Sequence, residues 1–241
     1  MKNRRLTEII KRLEDHFGSN ARKPARRKKN LLDVLIAVKL SQNTTDRTSH
    51  KAYLNLKRRF AKWEDLINAP LQEIKKDIKV CGMAETKSRD IKVMLREMKK
   101  NYGKLTLNHL RRLSEEDIYE ELLGYKGIGT KTIACLIAFG LERPAFPVDT
   151  HVHRVMNRMG IINTATPEKT FDVSKELIPV ESKTAFHLNL IKFGRSVCKA
   201  PAPLCGECCV YDLCNFGQKQ YYKDRNKGKI KENNFIILEN I

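Results

Sequence analysis

Apolar side chains recur at intervals of three and four along nearly the whole chain, and that period admits packed helices and little else. Leu6, Ile9, Ile10, Leu13 and Phe17 follow it near the start, and Ile91, Leu95 and Met98 follow it near the middle. Strand-like alternation is scarce, and the short run Phe235 to Leu238 is the one segment read as extended. The expected fold class is all-α. With 241 residues, 41% of them hydrophobic, the chain can bury one large core or two modest ones.

Turn signals divide the periodic stretches. The spacing predicts helices over 45–60, 63–68, 71–79, 84–101, 114–123, 149–159, 167–178 and 181–196, with the apolar stretch 31–40 before them. Ser114 followed by Asp117 has the pattern of a capping box. Residues 21–30, ARKPARRKKN, break the period with a proline and six basic side chains, and read either as a solvated linker or as an arm facing phosphate. Pro144 and Pro147 bracket a second break, where a domain boundary is placed. From Gly217 onward the chain is polar and lysine-rich, a tail expected to be disordered or to dock late.

Charge narrows the partner. The chain carries 47 basic against 28 acidic residues, a formal charge of +19, far more than solubility requires. Such an excess predicts attraction to a polyanion, with nucleic acid first and an anionic membrane surface second. No apolar run approaches the roughly 18–20 residues that span a bilayer, so an integral membrane protein is excluded. The start, MKNRRLTEIIKRLEDHF, carries Glu8, Glu14 and Asp15 among its basic residues and reads as no export signal.

Three constellations carry chemistry. In LGYKGIGTKTIACLIAF (123–139) a helix ends at Gly124, Gly127 and Gly129 flank Ile128, and an apolar helix begins near Thr130. Two glycines there give the turn backbone freedom, and the N–H groups opening the new helix can face a phosphate. The same pattern also serves as a plain turn between packed helices. Lys131 falls in the first turn of that helix, where the helix dipole and partial burial would both disfavour its ammonium form and make it a candidate amine nucleophile. It could equally point at a bound phosphate. Asp149, in FPVDTHVHRV, could cap the following helix or activate a neighbouring amine. Cys198, Cys205, Cys208 and Cys214 place four thiols within seventeen residues, enough for zinc or an iron–sulfur cluster. One close Cys pair rather than two leans against structural zinc, and Cys209 is a spare that could replace Cys208. The odd total of seven cysteines, clustered in this way, points to a reducing compartment. Cys81 and Cys135 read as core residues.

Taken in order, GIGTKTIAC, then VDTH with its aspartate eighteen residues beyond the lysine, then C-x6-C-x2-C-x5-C, resemble the endonuclease III family of helix-hairpin-helix DNA glycosylases. LIAVKLSQNTTDR (35–47) and KVCGMAETKSRDI (79–91) are similar to family segments that line the DNA cleft. The resemblance implies two all-helical domains flanking that cleft. One is a six-helix barrel over 30–143. The other is a cluster domain from 1–29 and 144–220, and a basic tail covers 221–241. It implies a four-iron four-sulfur cluster on Cys198, Cys205, Cys208 and Cys214, with Cys209 outside the family spacing. Lys131 then takes the nucleophile position and Asp149 that of the motif carboxylate. Gln42, Asn43, Met83, Gly127, Gly129, Thr130 and His151 become DNA-contacting residues. Gln42 and Asn43 belong to the loop that fills the gap left by an extruded base, and Met83 is the apolar wedge opposite.

The implied activity is base excision repair: a bifunctional glycosylase and AP lyase acting on double-stranded DNA with damaged bases or abasic sites, as a monomer. In a prokaryote its place is the cytoplasm, on the nucleoid. A damaged base must leave the stack before its sugar can be reached, at a cost of a few kcal/mol. Oxidised pyrimidines are the family's usual substrates. Relatives that act on mismatches without cutting the strand put another residue at the nucleophile position, so a lysine favours the bifunctional type. The family commonly has Leu-Pro before the hairpin glycine, where this chain has Tyr125-Lys126, so the hairpin is expected to enter at a different angle. The rivals are a monofunctional mismatch glycosylase, a non-catalytic DNA-binding iron–sulfur protein and an unrelated zinc protein.

Overall fold

The computed structural model describes residues 2–18, 28–226, 228 and 230. Residues 21–27 of the basic segment and the run Phe235 to Leu238 fall outside them. Among the described residues the regular elements are helical: α1 (Lys2–Phe17), α2 (Leu31–Ser41), α3 (Asp46–Arg59), α4 (Trp63–Asn68), α5 (Leu71–Ile78), α6 (Ala84–Tyr102), α7 (Glu115–Leu123), α8 (Thr130–Phe139), α9 (Thr150–Met159), α10 (Pro167–Leu177), α11 (Lys183–Ser196) and α12 (Lys219–Arg225), with short 3-10 turns between some of them. None is long and apolar enough to cross a membrane. The chain separates into two compact units. Among the described residues, one holds 28–143, and the other joins 2–18 to 144–226.

The first, the hairpin unit, is built around two helices that are apolar on nearly every side, a pattern that stabilises a helix only when other helices surround it. In α2, Leu31, Leu32 and Val34 through Leu40 are buried, and in α8 Thr132 through Phe139 are buried. α2 packs on α3, α8 and α6. Asn30 starts α2 by accepting from the N–H of Leu32 at 3.0 Å and of Asp33 at 3.3 Å, so the last residue of the basic segment is a helix cap. Around this axis α3 turns in Ala52, Tyr53 and Leu56, and α6 turns in Ile91, Met94, Leu95 and Met98. Each such leucine, isoleucine or methionine contributes about 1.5–3 kcal/mol of burial; Leu35→Ala, at a fully buried position, would cost about 2–5 kcal/mol. Ser114 and Asp117 form a reciprocal capping box on α7.

The second, the cysteine unit, has α11 at its centre, with α1 and α9 against it. Leu6, Ile9 and Leu13 form the buried stripe of α1. From the outer face of that helix Arg5 donates to the carbonyls of Met159, of Gly160 at 3.3 Å and of Leu213 at 2.9 Å, tying the N-terminal helix to the end of α9 and to the cysteine segment. Of the two expectations for the tail after Gly217, disorder or docking, its first part takes the second: α12 forms there and is held. Lys219 donates to the carbonyls of Tyr211 at 3.0 Å and Cys214 at 2.7 Å, Phe216 stacks on Tyr222, and Asn226 donates to the carbonyl of Pro203 at 3.2 Å. The docking combines lysine and asparagine donors aimed at carbonyls with one aromatic stack, where composition shows no apolar stripe.

Candidate functional site

At one end of the hairpin unit three loops meet. The hairpin runs from the end of α7 to the start of α8. Tyr125 N–H bonds to the carbonyl of Leu122 at 3.2 Å and Ile128 N–H to that of Tyr125 at 3.1 Å. Gly127 sits at φ +76°, and a Cβ there would lie 2.5 Å from Lys39 Nζ and 3.0 Å from Asp90 Oδ2. Glycine is required at 127 on both counts. Gly129 is different: its φ of −112° is ordinary, and a Cβ would meet nothing within 4 Å. The expectation that both glycines serve backbone freedom therefore holds for the first alone. The hydroxyl of buried Tyr125 accepts a hydrogen bond from Asn101 at 3.1 Å, and its ring lies near Tyr102, occupying the part of the turn where the family pattern has Leu-Pro.

Gly129 is the N-cap of α8 and has no side chain to offer, so no side-chain cap bond is made there. The first N–H groups of a helix have no partner within it. Lys131 stands in that first turn and is exposed. The partial burial expected for it is absent, because the buried residues of α8 begin at Thr132. Thr130, beside it, is half-buried.

The second loop follows α2. Gln42 Nε2 donates to Thr132 Oγ1 at 3.3 Å, which lays this loop against the start of α8. Asn43 is left-handed at φ +53°, and its amide reaches Met83 Sδ at 3.7 Å. Met83, in the third loop, is also left-handed at φ +49° and is 54% exposed, an unusual state for a large apolar side chain. Gln42, Asn43, Met83, Gly127, Gly129, Thr130 and Lys131 thus share one end of one unit. Two residues that motif reading passed over hold it together. Buried Lys39 donates to the Gly127 carbonyl at 2.9 Å and pairs with Asp90 at 3.3 Å. Buried Lys87 donates at 2.9 Å to the carbonyls of both Leu40 and Cys81. Burial holds the Lys87 ammonium below the usual lysine value and pushes the Cys81 thiol up. For Lys39 the available signal was a lysine inside an apolar run, LIAVKL.

In the cysteine unit, Asp149 is the N-cap of α9, accepting from Val152 N–H at 2.8 Å. His151 lies in the next turn, its imidazole lowered by burial, against Gly194, where an added Cβ would come within 3.1 Å. Farther along α9, Arg154 donates to the carbonyls of Gly194 at 2.9 Å and Cys198 at 3.0 Å. One turn on, Arg158 reaches the carbonyls of Lys199 at 2.6 Å and Ala200 at 2.7 Å and approaches Cys198 Sγ at 3.8 Å. The helix capped by Asp149 is therefore bonded along one side to the start of the cysteine segment. Cys198, Cys205, Cys208 and Cys214 line a single cavity with Arg158, Phe193, Leu204, Val210 and Phe216, and Cys209 is not among its walls. Burial, with neighbouring thiols adding to it, pushes Cys205 up to about 11 and Cys208 higher still. Among the described residues no three Cys, His, Asp or Glu side chains converge as ligands of one ion.

This arrangement of helices, hairpin and clustered cysteines has clear relatives. The model of the HhH-GPD superfamily of base excision DNA repair proteins matches residues 36–180. Endonuclease III of Thermotoga maritima is 34% identical over 198 residues, 82% of this chain and 86% of that protein. A protein of Arabidopsis thaliana named for DNA glycosylase activity is 39% identical over 165 residues, 68% of this chain, and the match spans 56% of its length. A solved structure of an endonuclease III covalent intermediate trapped on DNA is 28% identical, covers 92% of this chain and 99% of its own, and superposes with a TM-score of 0.77. The chain belongs to the HhH-GPD superfamily, in its endonuclease III branch.

Proposed function

We propose that Lys131 is the nucleophile of a bifunctional reaction on damaged, base-extruded DNA and that oxidised pyrimidines are its substrates. The enzyme is a base excision repair DNA glycosylase and AP lyase of the endonuclease III type. One observation carries the proposal for Lys131: the lysine is exposed in the first turn of a helix with no side-chain cap, directly after the hairpin. Dipole and unpartnered N–H groups at that turn attract a phosphodiester, while the amine stays accessible to a sugar.

In this reading the hairpin grips the backbone, and Met83 with Asn43 and Gln42 occupies the space of the extruded nucleotide. The Lys131 amine, as the neutral base, attacks C1′ as the glycosidic bond breaks and the base departs with its electron pair. The C1′–O4′ bond then opens, O4′ taking up a proton, to leave a protonated imine that acidifies the C2′ hydrogens; loss of one expels the 3′ phosphate by β-elimination and cuts the strand. Asp149 supplies the carboxylate that accepts the amine proton or stabilises the cationic sugar. Its cap bond to Val152 engages Oδ1 and fixes the side chain. His151, in the first turn of the same helix, contacts the DNA.

Cys198, Cys205, Cys208 and Cys214 fit a four-iron four-sulfur cluster: the donor set is four thiols around one cavity, without carboxylate or imidazole, and Cys209 stands outside it. Bound there, the cluster supplies a covalent cross-link of the segment after α11. Arg154 and Arg158 carry that order to α9 through their carbonyl bonds. Borohydride trapping on a duplex with one abasic site tests the chemistry. Wild type should form a covalent adduct and Lys131→Ala should not, and an adduct in the alanine variant would overturn the assignment. Release of base with an intact strand would indicate a monofunctional glycosylase. A panel of duplexes, each with a single modified base, tests the substrate class.

A further inference from the structure

We propose that Lys39 is a positioning residue for DNA binding, acting through the Gly127 carbonyl to set the hairpin; the inference rests on the reading that this hairpin grips the DNA backbone. Lys39 departs from the character of its helix: it is a full charge, 1% exposed, inside the apolar run LIAVKL. An ammonium removed from water is costly unless its donors are used. Two of them are accounted for, by Gly127 O at 2.9 Å and Asp90 Oδ2 at 3.3 Å.

The choice of partner is informative. A buried charge needed for packing alone could bond any carbonyl of the core, and an apolar residue of similar volume would pack there at no desolvation cost. Lys39 instead bonds the one residue of the hairpin whose φ is positive, two positions before the N-cap of α8. Asp90 on α6 touches the same spot, since both its carboxylate and the ammonium would meet any Cβ placed on Gly127. The peptide at 127 is thus pinned from the inside by an ion pair, while Lys131 in the following turn remains on the surface.

Lys87 repeats the device in the same layer, joining the Leu40 carbonyl at the end of α2 to the Cys81 carbonyl beside the loop of Met83. The two ammonium groups lie close enough for the charge of Lys39 to lower Lys87. Together they tie the hairpin, the loop of Gln42 and Asn43, and the loop of Met83 to a common floor. The consequence for function is preorganisation: the hairpin is held in its binding geometry before DNA arrives, so less ordering is required on association. This stiffening occurs in a turn that has Tyr125-Lys126 in place of a proline, where the ring of Tyr125 is held by Asn101 as the second anchor.

The test uses the full-length protein and a duplex containing a tetrahydrofuran abasic analogue. Lys39→Leu combined with Asp90→Asn removes both charges, so no buried ion is stranded. The expected result is a cooperative unfolding transition with Tm within about 5 °C of wild type and a Kd weakened about tenfold. The slope of log Kd against log salt should become shallower by about 0.9 for each phosphate the hairpin no longer holds. A folded double variant with unchanged Kd and slope overturns the proposal and leaves Lys39 as a core residue only. Should the double variant not fold, Asp90→Asn is read instead. Faster amide exchange at Ile128 with a weaker Kd supports the proposal, and unchanged exchange and Kd overturn it. If wild type itself binds without salt dependence, the failure lies with the hairpin reading.

Discussion

The two regions of this molecule that carry chemistry are organised by opposite means. In the hairpin unit the loops are ordered by the chain's own charges: Lys39 and Lys87 satisfy the carbonyls of Gly127, Leu40 and Cys81 from inside the core. In the cysteine unit the segment from Cys198 to Cys214 contains one short 3-10 turn as regular structure, and four thiols face one cavity between arginine and apolar walls. The first region is complete as polypeptide. The second has a sulfur-only donor set that suits a cofactor. The proposed nucleophile, Lys131, therefore belongs to the self-sufficient unit, while in the other unit Arg154 and Arg158 bond α9 to the start of the cysteine segment.

That contrast can be broken by substitutions on each side. The largest effect is expected at Lys131, where Lys131→Ala should reduce borohydride-trapped adduct by on the order of a thousandfold or more while leaving duplex affinity within a few-fold. Equal loss of affinity would make the residue a phosphate contact only. Next comes the cysteine pair that sequence spacing left in competition. Cys208→Ser should abolish visible iron–sulfur absorption and lower Tm by about 10 °C or more, whereas Cys209→Ser should keep both. The reverse outcome would reassign the fourth thiol.

The hairpin glycines sharpen the other side. Gly127→Ala must adopt φ +76° and meet Lys39 and Asp90, so denaturant unfolding should show a loss of about 2 kcal/mol. Gly129→Ala, at an ordinary φ with open space around it, should lose only the preference of an N-cap for glycine over alanine, under about 1 kcal/mol. Two equal losses would contradict the geometry. The smallest effect concerns His151, whose imidazole is lowered by burial, with Arg154 and Arg195 adding to the shift and Asp149 opposing it. Below a normal imidazole value of about 6.5 the unfolded chain binds the extra proton and the folded one resists it. Stability is therefore retained above that pH and lost as pH falls toward the lowered value. His151→Asn should flatten the decline in Tm between about pH 7 and pH 5 relative to wild type.

Much was legible in the sequence. The 3.6-residue period located most helices to within a residue or two, because a helix that must bury one face writes that face into its spacing. Ser114 and Asp117 were readable as a capping box because both partners lie within one turn of chain. The hairpin, and the positions of Lys131, Asp149 and the four cysteines as candidates, stood out from order and spacing. The exposure of Lys131 was not, since burial is decided by what packs against α8. Nor were the contacts of α12, which combine donors from Lys219 and Asn226 to carbonyls on an irregular loop with the stack of Phe216 on Tyr222.

The chain's local order, then, settled the helical class, the family and the set of candidate reactive groups, because periodicity, caps and ligand spacing are properties of neighbours. Tertiary packing alone decided which glycine is indispensable, which of two adjacent cysteines faces the cavity, and what the lysine inside α2 bonds. Those answers depend on groups up to 88 residues apart, and at that separation spacing along the chain carries no geometric information.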